Sequence, residues 1–128
     1  VKDSHNIVFE VPKRLSVTFD GDLLDMIRCK YIIKAIQKDN LLANATTMGN
    51  LLADGLREMP QIKNVRQIGL LLAFDFDTKT QRDAFVSKLH NNGMICNPTR
   101  EVSIRMRPHL STSWGTIRDA LSLIRRSL

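Results

Sequence analysis

Apolar residues recur at helical spacing in the first half of the chain. Asp20-Gly21-Asp22 offers N-cap chemistry ahead of residues 23–36, which are apolar on several sides and predict a helix buried on more than one side. Asn40 can cap a second helix, which Pro60 ends. The stripe of this second helix consists of Leu41, Ala45, Met48, Leu52, Gly55, Leu56 and Met59.

Two glycines interrupt the second predicted helix. Gly49 and Gly55 each cost about 1 kcal/mol relative to alanine in a helix interior. A close packing contact would be a reason for a glycine at either position. We therefore expect other elements to approach this helix closely at its glycines.

The next segment predicts a strand followed by a helix. Residues 65–77 fit one strand with a wholly apolar face, because alternate positions carry Leu70, Leu72, Phe74 and Phe76. Thr78 and Gln81 fit a capping box at the start of a helix, and Asn92-Gly93 can close that helix.

The last third of the chain predicts two short strands and a helix. The first strand covers residues 94–97 and precedes a break at Pro98. In the second strand, Val102, Ile104 and Met106 alternate with Ser103, Arg105 and Arg107. The last helix begins after Ser113 and is predicted to bury Trp114, Ile117, Leu121, Ile124 and Leu128.

These elements predict an α/β (α+β) fold, with a three- or four-stranded antiparallel or mixed sheet and helices on one face. A chain of 128 residues suits one such domain. We place this domain at residues 22–128, after an extended first segment over residues 1–21. No apolar run approaches the length that crosses a bilayer, so we expect no membrane partner.

The charge and the cysteines exclude some classes of function. The formal charge of +6 raises nucleic acid as a partner, but the basic residues are scattered and no groove-reading motif accompanies them, so no nucleic-acid partner is predicted. Cys29 and Cys96 are far apart and have no metal-ligand spacing. This favours reduced thiols in a cytoplasmic protein and no metal site.

Two segments carry candidate binding chemistry. Arg105 and Arg107 lie two residues apart on one face of a predicted strand, and two guanidinium forks suit a carboxylate or a phosphate. The alternative is a solvated polar face on an edge strand. Residues 14–21 combine hydroxyls, a glycine and an approaching helix N-terminus, which can hold an anion, although helix capping alone also explains them.

Three motifs in order resemble the class III (ornithine, 4-aminobutyrate and lysine) aminotransferases. Residues 11–28 (VPKRLSVTFDGDLLDMIR) resemble the stretch that leads into a long helix, and are most similar to the lysine 6-aminotransferases. Residues 66–74 (RQIGLLLAF) resemble the family's Arg-Gly-x-Gly strand, and residues 104–108 (IRMRP) resemble its Ile-Arg-Phe-x-Pro strand. The likeness covers essentially the whole chain and implies the C-terminal small domain of a fold-type I enzyme.

The resemblance implies a role for two residues. Thr18 matches the threonine that hydrogen-bonds the phosphate of the pyridoxal 5'-phosphate held by the partner subunit of a homodimer. Arg105 matches the arginine that binds the substrate α-carboxylate, whereas Arg107 matches no position with a definite role. A hydroxyl suits a phosphate and a guanidinium suits a carboxylate, so the chemistry of both residues agrees with these roles.

The chain departs from the family pattern in three ways. Asp20 and Gln67 each stand where the family has a glycine. In the family, the lysine that forms the Schiff base lies upstream of the position that Thr18 matches, before this chain begins. None of the eight lysines of the chain matches it, so no residue here is predicted to be catalytic.

The implied activity belongs to a full-length parent enzyme. That enzyme would transfer an amino group from an amino acid to 2-oxoglutarate by means of pyridoxal phosphate. Lysine is the first choice of donor, and ornithine or 4-aminobutyrate is next. The 128 residues alone are expected to be inactive. The alternative is a stand-alone, non-catalytic binding or interaction domain.

Overall fold

The computed structural model describes residues 21–128. Its elements are, in order, α1 (Leu23–Lys38), α2 (Leu41–Arg57), β1 (Lys63–Ile68), β2 (Leu71–Asp75), α3 (Lys79–Asn91), β3 (Asn97–Thr99), β4 (Ser103–Met106) and α4 (Trp114–Ser127). The chain divides after Ala35 into two units, and the sheet with helices α2 to α4 belongs to the second. None of the described helices combines the length and the apolar character needed to cross a bilayer.

Helix α1 begins where the sequence predicts but is exposed along its length. The Asp22 carboxylate caps it by accepting hydrogen bonds from the backbone N–H groups of Leu24 at 2.8 Å and Asp25 at 3.3 Å. The prediction of burial on more than one side is wrong for the described structure, because α1 contains no buried residue. Its large apolar side chains are 50% to 72% exposed: Leu23, Leu24, Met26, Ile27, Tyr31, Ile32 and Ile33.

Helix α2 turns most of its predicted stripe into the core of the second unit. Leu52, Leu56 and Met59 are buried, as the periodicity predicts. Asn40 occupies the N-cap position, but its φ is 50° and its side chain makes no capping hydrogen bond, so the predicted side-chain cap is wrong. The helix therefore depends on packing rather than on its cap.

A turn at Gly69 divides the segment that the sequence predicts as one strand. β1 and β2 pair antiparallel with Ile68 opposite Leu71, which leaves a two-residue loop. Gly69 is the first residue of that loop and has φ 54°, at the position where type II′ turns place glycine. The prediction of one strand over residues 65–77 is wrong. Its apolar face is nevertheless correct, because four residues are buried: Leu70, Leu72, Phe74 and Phe76.

Both glycines within α2 lie at close contacts, as the sequence predicts. A Cβ atom at Gly49 would collide with the carbonyl group of Gly69 in the β1–β2 turn. A Cβ atom at Gly55 would lie 2.5 Å from a methyl carbon of Leu121 in α4. Glycine therefore lets α2 approach the hairpin at one point and α4 at another.

The sheet has four antiparallel strands in the order β1-β2-β4-β3. Helices α2 and α3 pack on it and α4 packs against both of them. The rings of Phe74, Phe76 and Phe85 lie with centroids 5.0 to 6.1 Å apart in the core. Helix α3 carries the predicted capping box between Thr78 and Gln81. This arrangement is the predicted α/β (α+β) fold.

Two predictions in the last third of the chain are wrong. β3 covers Asn97–Thr99 and so contains Pro98 instead of ending before it. An edge strand tolerates proline, and β3 is at an edge of the sheet. In α4, Ile117 and Ile124 are buried, but Trp114 is 56% exposed and packs against the guanidinium of Arg118 at 5.1 Å.

Alanine at Gly49 should destabilise the second unit. Its methyl group would meet backbone atoms of Gly69, which cannot move aside as the end of a flexible side chain can. We expect Gly49→Ala to lower the free energy of unfolding by about 2 to 3 kcal/mol, as measured by urea denaturation followed by circular dichroism.

Gly115→Ala is the matched control. The nearest atom to a Cβ at Gly115 is Ser113 Oγ at 3.7 Å, an ordinary contact distance. We expect this variant in α4 to leave stability unchanged or to raise it by up to about 1 kcal/mol. Equal effects of the two substitutions would contradict the close contact at Gly49.

Candidate functional site

Strand β4 presents Arg105 on the sheet face opposite the core. β4 pairs with β2 on one side and with β3 on the other, so Arg105 lies between Ala73 and Asn97. Strand alternation turns Ile104 and Met106 into the core and leaves Arg105 exposed. Because strands on both sides hold β4, the backbone that carries Arg105 is fixed.

A second arginine lies on this polar face, on the other side of β2. Arg66 of β1 is opposite Ala73, which is in turn opposite Arg105. Adjacent strands lie about 4.8 Å apart, so the Cα atoms of the two arginines are separated by roughly 10 Å. The small side chain of Ala73 leaves the space between them open.

Asp75 engages Arg66 through both of its carboxylate oxygens. Arg66 Nη1 donates to Oδ2 at 3.0 Å and Nη2 donates to Oδ1 at 2.9 Å. Nη1 also donates to the backbone oxygen of Asn64 at 2.8 Å. This bidentate geometry is the strongest form of the arginine–carboxylate pair, so Arg66 is committed to a partner within the fold.

Two further donors complete the contacts of the Asp75 carboxylate. The Ser103 hydroxyl donates to Oδ1 at 2.6 Å, and the Asn64 amide donates to Oδ2 at 3.2 Å. Asn64 has φ 50° and lies at the irregularity in the β1–β2 register between Lys63 and Arg66. The carboxylate thus joins β1, β2 and β4 on the polar face.

These donors favour the charged form of Asp75. The hydrogen bond from Arg66 is the largest cause, burial opposes it, and the bonds from Ser103 and Asn64 add to it. Together they lower the pKa of Asp75 from 3.8 to about 2. The same bond raises the pKa of Arg66. At neutral pH the pair is therefore fully ionised.

Arg105 has no comparable partner in residues 21–128, where it forms no ion pair. It borders an open cavity of about 690 Å³ on the polar face, together with Arg66, Asp75 and Ser103. A guanidinium at the edge of a cavity can bind a carboxylate through two parallel hydrogen bonds. Of the two predicted arginines, Arg105 borders this cavity and Arg107 does not.

Arg107 does not share the strand of Arg105. β4 ends at Met106, so the prediction that one strand holds both arginines is wrong. Both border a second cavity, of about 320 Å³, which Cys96 also lines.

Burial raises the pKa of the Cys96 thiol, which keeps the thiol protonated at neutral pH. Cys96 and the exposed Cys29 are both free, as predicted.

Several predicted site positions lie outside the described residues. These are Thr18, Asp20 and the rest of the candidate anion segment before Gly21. Gln67, the other departure from the glycine pattern, lies in β1, where its amide donates to Asn50 Oδ1 at 2.7 Å. Gln67 is not among the residues with positive φ, so its backbone does not require glycine.

The Arg66–Asp75–Ser103 network was not predicted from the sequence. A single strand over residues 65–77 would place Arg66 and Asp75, which are nine residues apart, near its opposite ends. The available signal was Gly69, because a tight turn there folds β1 back on β2 and brings the two side chains together.

Comparison with known proteins connects this chain to a family. The family model described as Aminotransferase class-III matches residues 3–128. The L-lysine-epsilon aminotransferase of Mycobacterium tuberculosis is 32% identical over 126 residues, which cover 94% of this chain. The 4-aminobutyrate aminotransferase of Dictyostelium discoideum is 36% identical over 98 residues, which cover 73% of this chain.

The fold has the same relatives. A solved structure of lysine aminotransferase from M. tuberculosis matches with a TM-score of 0.84 and 32% identity over 94% of this chain. This likeness confirms the predicted fold class. The chain spans only 28% of the lysine enzyme, 20% of the 4-aminobutyrate enzyme and 29% of the solved chain.

Asp75→Asn should destabilise the fold in a pH-dependent way. The folded pKa of about 2 lies below the ordinary value of 3.8. The stabilisation is therefore present above about pH 4 and is lost as the pH falls toward 2. We expect a loss of about 1 to 2 kcal/mol at pH 7, reduced by solvent because the Arg66 side chain is 49% exposed. Urea denaturation between pH 7 and pH 2 measures this difference.

Asp77→Asn provides the control for this experiment. Asp77 is exposed and forms no ion pair with a described residue. Its substitution should change stability little at any pH. If the gap between wild type and Asp75→Asn stayed constant from pH 7 to pH 2, the ion pair would not be its cause.

Proposed function

The chain belongs to the class-III aminotransferase family, and from that premise we propose that it forms the C-terminal small domain of a pyridoxal-phosphate-dependent aminotransferase. The family match covers residues 3–128 and confirms the resemblance seen in the sequence. The proposal places the chain in a longer parent enzyme, because the chain spans less than a third of the relatives it matches.

The proposed reaction is amino transfer in two half-reactions. An amino acid gives up its amino group in the first, and 2-oxoglutarate accepts it as glutamate in the second. Lysine is the proposed donor, since relatives named lysine aminotransferases cover 94% of the chain at up to 32% identity. Ornithine and 4-aminobutyrate are the next candidates, because other relatives carry those names.

Arg105 is the residue proposed to bind the substrate carboxylate. The observation that carries this assignment is its guanidinium on a doubly paired strand, exposed at a cavity and without an ion-pair partner among the described residues. Arg66, on the same face, is already engaged by Asp75. A carboxylate that enters the cavity can therefore meet, at Arg105, a guanidinium that no described carboxylate engages.

The described residues around Arg105 fit a carboxylate and do not fit the cofactor. Pyridoxal phosphate supplies the electron sink of the reaction and requires a lysine amine for its Schiff base. Neither cavity that Arg105 borders is lined by a lysine. The proposed contribution of this chain is carboxylate recognition, together with a phosphate contact from Thr18 to the cofactor of the partner subunit. That contact implies a homodimer, which we place in the cytoplasm.

Replacing Arg105 in the full-length parent should impair carboxylated substrates selectively. Arg105→Ala removes the charge and the N–H donors of the guanidinium. Arg105→Lys keeps the charge but loses the bidentate geometry. A charge-assisted hydrogen bond contributes about 1.5–3 kcal/mol, so Arg105→Ala should lower kcat/KM for amino acid and 2-oxoglutarate by about 10- to 100-fold. Steady-state kinetics should show a much smaller change for an amine without a carboxylate.

Arg107→Ala is the matched control for Arg105→Ala. Arg107 is also exposed, but it follows the end of β4 and does not border the larger cavity. Its removal should have the smaller effect. The assignment of Arg105 would be wrong if Arg105→Ala slowed both classes of amine equally, or if Arg107→Ala proved the more damaging change.

A polypeptide of these 128 residues alone should be inactive. Mixing it with pyridoxal phosphate should give no specific internal-aldimine absorbance and no transamination of lysine with 2-oxoglutarate, because none of its lysines matches the Schiff-base position. Absorption spectra and a glutamate assay test this expectation. Stoichiometric loading with turnover would contradict it and would show that the catalytic group is among these residues.

A further inference from the structure

A third cavity, of about 400 Å³, opens between helices α2 and α4 and shares no lining residue with the two cavities that Arg105 borders. We call it the α2–α4 groove. Its apolar lining comes from Leu51, Trp114 and Leu121. Its charged lining comes from three arginines, Arg118, Arg125 and Arg126, and no lining residue is acidic. The groove therefore combines apolar surface with positive charge.

The groove follows one face of helix α4. Four of its lining residues recur along α4 at intervals of four, three and four residues: Trp114, Arg118, Leu121 and Arg125. Residues at this spacing form one stripe on a helix, about 16 Å long for eleven steps of 1.5 Å. The buried residues Ile117 and Ile124 form a separate stripe toward the core. A groove of this length suits a segment of about three helical turns.

Trp114 is the main apolar anchor of the groove. It is the only tryptophan of the chain, and 56% of it is exposed. Tryptophan and arginine are enriched among the residues that dominate binding between proteins. The guanidinium carbon of Arg118 lies 5.1 Å from the centre of the Trp114 ring. Such stacking uses the flat face of the guanidinium, so the N–H donors at its edge can still bind a carboxylate.

The ion pairs at the groove are exposed and easily exchanged. Arg118 pairs with its neighbour Asp119 at 3.3 Å, and Arg125 pairs with Glu58 at 2.6 Å. All four side chains are more than half exposed, so these pairs contribute little to stability. Arg126 forms no ion pair with any residue from 21 to 128. Carboxylates of a partner can therefore replace the present ones at low cost.

We propose that the α2–α4 groove docks an acidic amphipathic helix of another protein. Apolar side chains on one face of that helix contact Leu51, Trp114 and Leu121. Its aspartates and glutamates pair with the three arginines of the groove. An amphipathic helix in an apolar groove is a common mode of peptide recognition, and the charges set which helix is accepted. The proposal does not depend on the role of Arg105.

Charge disfavours a second copy of this chain as the occupant. Helix α1 is the described helix with the longest run of exposed apolar side chains, so it is the obvious candidate from another copy. It carries one acidic residue, Asp25, and four basic residues, Arg28, Lys30, Lys34 and Lys38. Like charges would then meet at the groove, and such contacts oppose binding.

The experiment measures peptide binding to the full-length enzyme by fluorescence polarisation. The probe is a labelled synthetic peptide of about 14 residues, with leucines on one helical face and glutamates elsewhere. A second peptide has lysine in place of each glutamate and should bind at least about tenfold more weakly. Trp114→Ala should weaken binding of the glutamate peptide by about tenfold or more.

Two charge reversals form the matched pair of this experiment. Arg126→Glu should weaken binding of the glutamate peptide by about tenfold, whereas Arg28→Glu should change it by less than about twofold. Arg28 lies in α1, so its reversal changes the net charge equally without altering the groove. Transamination by all three variants should match that of the wild type, which shows that they fold.

Three outcomes would overturn the proposal. Equal effects of Arg126→Glu and Arg28→Glu, or equal binding of the two peptides, would show that net charge or apolar contact alone attracts the probe. Binding to phosphatidylserine vesicles without binding to the glutamate peptide would identify a lipid surface as the occupant. Failure of the glutamate peptide to bind at all would show that the groove does not accept such a helix.

Discussion

The approach of helix α2 to the β1–β2 turn is the contact on which the rest of the second unit depends. At Gly49 the helix meets the backbone of Gly69 where no side chain fits, so the turn cannot shift along the helix. A fixed turn keeps Ile68 opposite Leu71 and sets the register of the hairpin. A slip by one residue would exchange the buried and exposed faces of a strand. The contact between Gly49 and Gly69 thus helps to set the register that places Arg66 beside Asp75.

The two arginines on the polar face, Arg66 and Arg105, differ in what they contact. The Arg66–Asp75 pair joins β1 to β2, and Ser103 extends the connection to β4. This pair also keeps Arg66 from binding an anion, because both of its terminal nitrogens already donate hydrogen bonds to Asp75. Arg105 forms no ion pair with Asp75, because both oxygens of that carboxylate are already engaged by Arg66.

Features with local signals could be predicted from the sequence. The capping box at Thr78 and the Ser113 cap of α4 are both present, since capping needs only residues a few positions apart. Features decided by distant contacts could not be predicted from the sequence. Examples are the exposure of Trp114 and of helix α1. The exposure of Arg105 followed from strand alternation. Its lack of an ion pair with any residue of the range 21–128 could not be predicted, because that depends on how three strands are aligned.

The composition of strand β3 limits how the sheet can grow. β3 lies at one edge, is three residues long and has Pro98 at its centre. Proline has no N–H group, so this edge presents an interrupted row of donors to any strand from another molecule. At the opposite edge, the irregularity between Lys63 and Arg66 disturbs the regular spacing of β1. Both borders therefore discourage the chain-to-chain strand pairing that leads to aggregation, although the sheet is open.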